Sequence, residues 1–159
     1  MFKSLKRVLA AVLVLGLVVT GAGFASASAA DSATTAPAAT KVTVNTKTVK
    51  SVKNVKTVKL GAKVASVKAN AIKSKTTSVA FASTKKVTVA KNAFAKAKAL
   101  KTITVQKNTV TFKKGAFGKL NTKKMTIKVK GLKASSKAFK NYKKALKKAG
   151  FNGKVTAVK

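Results

Sequence analysis

From Lys47 to Lys59 the chain reads KTVKSVKNVKTVK, with Lys47, Lys50, Lys53, Lys56 and Lys59 in one phase of a three-residue period and Val49, Val52, Val55 and Val58 in another. A helix repeats its faces every ~3.6 residues and a strand every two, so a period of three matches neither. Two readings stand side by side: a low-complexity spacer, or two short strands joined by turns, with Val58 and Leu60 in the second. Further along, the pattern changes to short runs rich in β-branched residues, at Thr57–Leu60, Thr77–Phe81, Thr102–Val105 and Met125–Val129. These predict strands.

A longer repeat frames those strands. Asn70-Ala71-Ile72, Asn92-Ala93-Phe94 and Gly115-Ala116-Phe117 recur at intervals of 22 and 23 residues, and Val79, Ile103 and Ile127 recur at 24 and 24. Each unit therefore reads as strand, loop, Ala-Phe anchor and Lys-rich return. A unit this short cannot bury an apolar face alone, so neighbouring units must stack to do it. The expected core is Ile72, Phe94, Ile103, Phe117 and Ile127, with Phe94 and Phe117 one above the other.

The C-terminal segment has a different period. Phe139, Tyr142, Leu146 and Ala149 share one face at helical spacing, Ser135 or Ser136 can cap the start, and Gly150 can close the end. Val155 to Val158 alternates once more, which allows a final short strand. Such a segment would cover the open end of a solenoid.

Before the repeats, Lys3, Lys6 and Arg7 precede an apolar run of 12 residues, Val8 to Val19, and Ala25-Ser26-Ala27 and Ala27-Ser28-Ala29 offer small residues for cleavage. This is the order of parts in a secretory signal, and the run falls short of the ~20 residues a spanning helix needs. The expected division is a signal peptide over 1–30, a flexible tether over 31–46 carrying the chain's one proline, Pro37, a repeat solenoid over 47–134 and a cap over 135–159.

Charge narrows the chemistry. Of 36 Lys and Arg residues, Lys3, Lys6 and Arg7 lie in the signal, leaving 33 lysines against one carboxylate side chain, Asp31. After the signal there is no His, Cys, Glu or Arg, so paired-carboxylate catalysis, Ser-His-Asp or Cys-His arrangements, zinc sites and calcium sites lack their residues. Ser66 with Lys68, and Ser135 and Ser136 with Lys133 and Lys137, pair only because both residue types are abundant. The expectation is no enzyme, no cofactor, no metal and no small-molecule substrate.

What lysines can do is attract polyanions. Lys is a compact hydrated charge, whereas Arg offers a planar two-point fork, so an all-Lys surface suits diffuse, salt-sensitive association. Candidate contacts are Lys85, Lys86, Lys113, Lys114, Lys123, Lys124, Lys140, Lys143, Lys144, Lys147 and Lys148. The expected partners are anionic polymers: wall polymer, acidic polysaccharide, or nucleic acid. Oligomeric state is open.

The stretch VTVAKNAFAKAKALKTITVQKNTVTFKKGAFGKLNTKKMTIKVKG, Val87 to Gly131, resembles the BspA-like leucine-rich repeats of bacterial surface proteins, whose unit has the form LxxIxIPxxVxxIGxxAFxxCxxL. Leu100-Lys101-Thr102-Ile103-Thr104-Val105, Ala93-Phe94 and Ala116-Phe117 carry the likeness, and Ala138 to Phe151 resembles the helical cap that follows such repeats. The departures are Val89-Ala90 and Phe112-Lys113 at the Ile-Gly pair, a missing Pro, and Ala97 or Leu120 at the Cys position. The resemblance implies a β-rich solenoid of three or four short leucine-rich-type repeats, in the α/β repeat class, with one C-terminal capping helix. With the signal and the charge, it implies an exported, adhesin-like or scaffolding protein of the cell envelope. A membrane-active cationic protein using Lys137 to Lys148, and a non-specific extracellular nucleic-acid binder, are the alternatives.

Overall fold

The structure, a computed structural model, describes residues 40–52 and 55–159. The expected signal peptide and the tether as far as residue 39 lie outside the described residues. The chain winds in successive coils that build two parallel sheets. The large sheet contains β1 (Lys41–Val44), β3 (Thr57–Leu60), β5 (Ser78–Phe81), β7 (Thr102–Gln106), β9 (Thr126–Lys130) and β10 (Lys154–Val158), in that spatial order. The small sheet contains β2 (Thr48–Val49), β4 (Ser66–Val67), β6 (Val87–Val89) and β8 (Val110–Phe112). A 3-10 turn at Thr122–Lys124 and one helix, α1 (Lys137–Lys148), complete the fold.

Strand alternation sorts the residues of each coil. In the large sheet Val42, Val58, Val79, Ile103, Ile127 and Val155 stand in register and point into the core, while Lys41, Thr57, Ser78, Thr102, Thr126 and Lys154 form the neighbouring outward row. Val49, Val67, Val89 and Phe112 form the inward column of the small sheet. Both columns belong to one continuous core. Because every coil contributes the same few side chains, that core is a stack, and each layer is covered only by its neighbours.

The anchors form a third ladder. Asn70 N donates to Asn92 O at 2.9 Å, Asn92 N to Gly115 O at 2.9 Å, and Gly115 N to Ala149 O at 3.1 Å. Asn70, Asn92 and Gly115 have φ of 56°, 61° and 74°, the left-handed region that asparagine and glycine tolerate best. This explains why those two residue types alternate at the first anchor position. The following apolar residue then turns inward: Phe94 and Phe117 stack at 5.6 Å between centroids and 15° between planes, and Phe151 adds to Phe117 at 5.2 Å. Phe112, from β8, joins the stack at 5.4 Å from Phe117. Ile72, Phe94, Ile103, Phe117 and Ile127 are all buried.

The period-three run is resolved by geometry. Val49, Val52, Val55 and Val58 are all buried, Val49 in β2, Val58 in β3, and Val52 on the anchor ladder, where its N–H donates to Ala71 O at 2.8 Å. A coil that turns a corner every few residues returns to the core at intervals that no single helix or strand can give. Among the described residues of 47–59, β2 and β3 are two short strands, with Val58 and Leu60 in the second. The tether over 31–46 extends too far, because β1 occupies 41–44 and pairs along its whole length with β3. The loops expected between strand and anchor contain β4, β6 and β8.

The last coil substitutes α1 for a strand of the small sheet. Ser136 Oγ accepts from Phe139 N at 3.2 Å to cap its start. At the other end Gly150 N donates to Lys147 O and Phe151 N to Leu146 O, both at 3.0 Å, with Gly150 at φ 96°. That pair of bonds is a Schellman closure. Phe139, Tyr142, Leu146 and Ala149 are buried against the coil below. The helix covers the edge of β8: Tyr142 Oη donates to Val110 O at 2.9 Å, occupying a carbonyl that a further strand would otherwise use.

Candidate functional site

Lysine enters every corner of the coil because the strands reserve their inward positions for Val, Ile and Phe. Of the described lysines only Lys73 is partly covered; all others are exposed. No carboxylate side chain exists after Asp31, so the described residues hold no acidic side chain to pair with them. Neighbouring coils lie ~4.8 Å apart. Two ammonium groups at that separation repel by about 0.9 kcal/mol even at the dielectric constant of water, before salt screens them.

The eleven lysines singled out from the sequence do not form one site. Lys85 and Lys86 sit in the turn into β6, Lys113 and Lys114 follow β8, and Lys123 and Lys124 belong to the 3-10 turn before β9. Four of the five on α1 do come together, Lys148 being the exception. Lys140, Lys143, Lys144 and Lys147, with Lys137, Asn141 and Ser135, line a shallow depression of about 570 Å³ on the exposed side of the helix. A second depression of about 540 Å³ runs between α1 and β8, with Val110, Phe112, Tyr142 and Leu146 on its walls and Asn108 and Asn141 at its rim.

Sequence reading missed Lys50, Lys68 and Lys91. These stand with Lys113 and Lys114 on the corner after the small sheet, one coil apart from one another. The signal was available, since Lys68, Lys91 and Lys114 each fall one or two residues before an anchor. It was hidden by the uniform abundance of lysine.

Of the three serines paired with lysines in the sequence, Ser66 and Ser136 have structural partners and Ser135 is exposed. Ser66 Oγ donates to Thr48 Oγ1 at 3.1 Å, and Ser136 Oγ donates to Lys133 O at 2.7 Å while capping α1. Among the described residues there is no cluster of three or more His, Cys, Asp or Glu residues. No helix among them is long and apolar enough to cross a membrane.

Comparison with known proteins gives one result. No curated protein and no solved structure matches significantly. A family model described as the BspA-type leucine-rich repeat region matches residues 30–157 with six copies. Six exceeds the three or four repeats expected from the anchors, and the large sheet likewise has six strands. The first and last coils fall outside the regular interval of the anchors: Val52 stands in the first, and Gly150-Phe151 closes the last. With most of its length covered by that match and with coils stacked as the repeats require, the chain belongs to the BspA-type leucine-rich repeat family.

Proposed function

We propose that the protein is an exported, non-enzymatic repeat protein that associates electrostatically with anionic polymers of the envelope or matrix, in an adhesin-like or scaffolding role. The observation that carries this reading is a lysine-covered solenoid without acidic side chains to neutralise it. A few lysines would keep the sheet edges soluble and unpaired; 33 exceed that need. The missing catalytic residue types support a binding role, and the basic, apolar and small-residue order of the first 30 residues supports export.

The alternatives draw less support. A membrane-active role needs a free apolar helix face, but Phe139, Tyr142 and Leu146 of α1 are already buried in the core. For the nucleic-acid alternative the lysines would supply phosphate contacts, but base stacking would not contribute, since every aromatic side chain among the described residues is buried.

Stepwise salt extraction of intact producing cells tests the reading. The protein should remain with the cells at low salt and elute as salt rises. Release into low-salt medium, or retention through molar salt, would contradict it.

A further inference from the structure

The corner after the small sheet stacks lysines from successive coils. The register that aligns Thr48, Ser66, Thr88 and Thr111 sets Lys50, Lys68 and Lys113 two residues further along their own coils, with Lys91 beside Ala90 in the coil between. Backbone bonds fix the corner. Lys68 N donates to Val49 O, Ala90 N to Val67 O and Lys113 N to Val89 O, each at 2.9 Å. The stem of Lys91 lies over the next coil, since a Cβ on Gly115 would stand 3.4 Å from its Cγ. The bond from Gly115 N to Ala149 O brings the end of α1, with Lys148 next to Ala149 in the chain, beside this corner. At ~4.8 Å per coil, five coils give a line of positive charge ~19 Å long.

A row of hydroxyls runs parallel to this column. Thr48, Ser66, Thr88 and Thr111 point outward from the small sheet in register, and Thr88 and Thr111 are exposed. A charge line alone attracts any polyanion, whereas a charge line beside a hydroxyl row at the same spacing complements a polymer carrying both groups in each repeat. We propose that this corner is a track for a single acidic polysaccharide chain lying along the solenoid axis, its carboxylates on the lysine column and its hydroxyls on the Ser/Thr row. The proposal rests on the polyanion-binding reading above and narrows it to one polymer class and one corner. A polyphosphate has no hydroxyl donors of its own, so it can only accept from the row and depends on the column more than a polysaccharide does.

Binding of polygalacturonate and of inorganic polyphosphate to the full chain, at one fixed salt concentration, tests the assignment. Three variants serve: K50Q/K68Q/K91Q/K113Q on the track, K96Q/K98Q/K119Q/K123Q with equal charge loss on the return after the anchors, and T88V/T111V on the hydroxyl row. Circular dichroism checks that each folds; all these side chains are exposed. The track variant should bind polygalacturonate more than about tenfold more weakly, the control less than about threefold, and T88V/T111V should weaken polygalacturonate binding more than polyphosphate binding. Equal losses in the two lysine variants would overturn the track and leave general polyanion binding standing. Equal behaviour of T88V/T111V towards both polymers would overturn the polysaccharide assignment. Failure of the unaltered chain to bind either polymer would remove the broader reading as well.

Discussion

Among the described residues, Thr76 Oγ1 is the buried side-chain polar atom that finds no hydrogen-bond partner. It lies in the column where the neighbouring coils place Val55 and Leu100, as the bonds from Thr77 N to Lys56 O and from Lys101 N to Thr77 O fix. An unpartnered buried hydroxyl costs roughly 1 to 3 kcal/mol, and valine has nearly its shape. Thr76→Val should therefore stabilise the fold by about 1 kcal/mol in urea unfolding; a loss would mean that the hydroxyl has a partner in solution. At this scale the sequence was legible wherever a residue repeated. Ile72, Phe94, Ile103, Phe117 and Ile127 announced themselves by interval, but Gly153 did not: its constraint comes from the carbonyls of Thr122 and Met125, which a Cβ there would strike. Nothing near Gly153 in the chain records that approach.

Elements were legible in proportion to their length. The 12 residues of α1 span several turns, enough for Phe139, Tyr142 and Leu146 to mark a face, and four of the large-sheet strands show alternation that survives inspection. The strands of the small sheet have two or three residues each, too few for a period to declare itself. β1 was hidden for another reason. It follows a polar, Pro-containing stretch, and its Val42 and Val44 are only half covered because no coil precedes them among the described residues. The contact of α1 with β8 makes a prediction of its own. Burial pushes the Tyr142 hydroxyl's ionisation well above the ordinary 10.0, so above about pH 10 the folded state keeps a proton that the unfolded chain gives up. The hydrogen bond to Val110 O thus contributes fully below pH 10, and its contribution falls as the pH climbs beyond it. Tyr142→Phe should cost about 1 kcal/mol at neutral pH, and the gap to the unaltered protein should narrow above pH 10. A gap that stays constant to pH 12 would mean that the hydroxyl is not buried.

At the scale of the whole molecule, the fold turns an imbalance of composition into a shape. A free chain with this charge would be a loose polycation. Coiled around Val, Ile and Phe, it holds its lysines on a stiff framework at intervals set by the sheets. The surface character was legible from composition alone, whereas the placement of Lys50, Lys68 and Lys91 in one column was not, since it depends on how many residues each corner consumes. Polymer binding by such an array should be driven by release of the counterions condensed on the polyanion. The most direct measurement is the affinity of the intact chain for polygalacturonate between 50 and 200 mM salt. The account predicts that log affinity falls linearly and steeply with log salt, by roughly a few hundredfold if ~6 charges are neutralised on a polymer with the shallower slope of a single strand. An affinity that is flat across that range would contradict it.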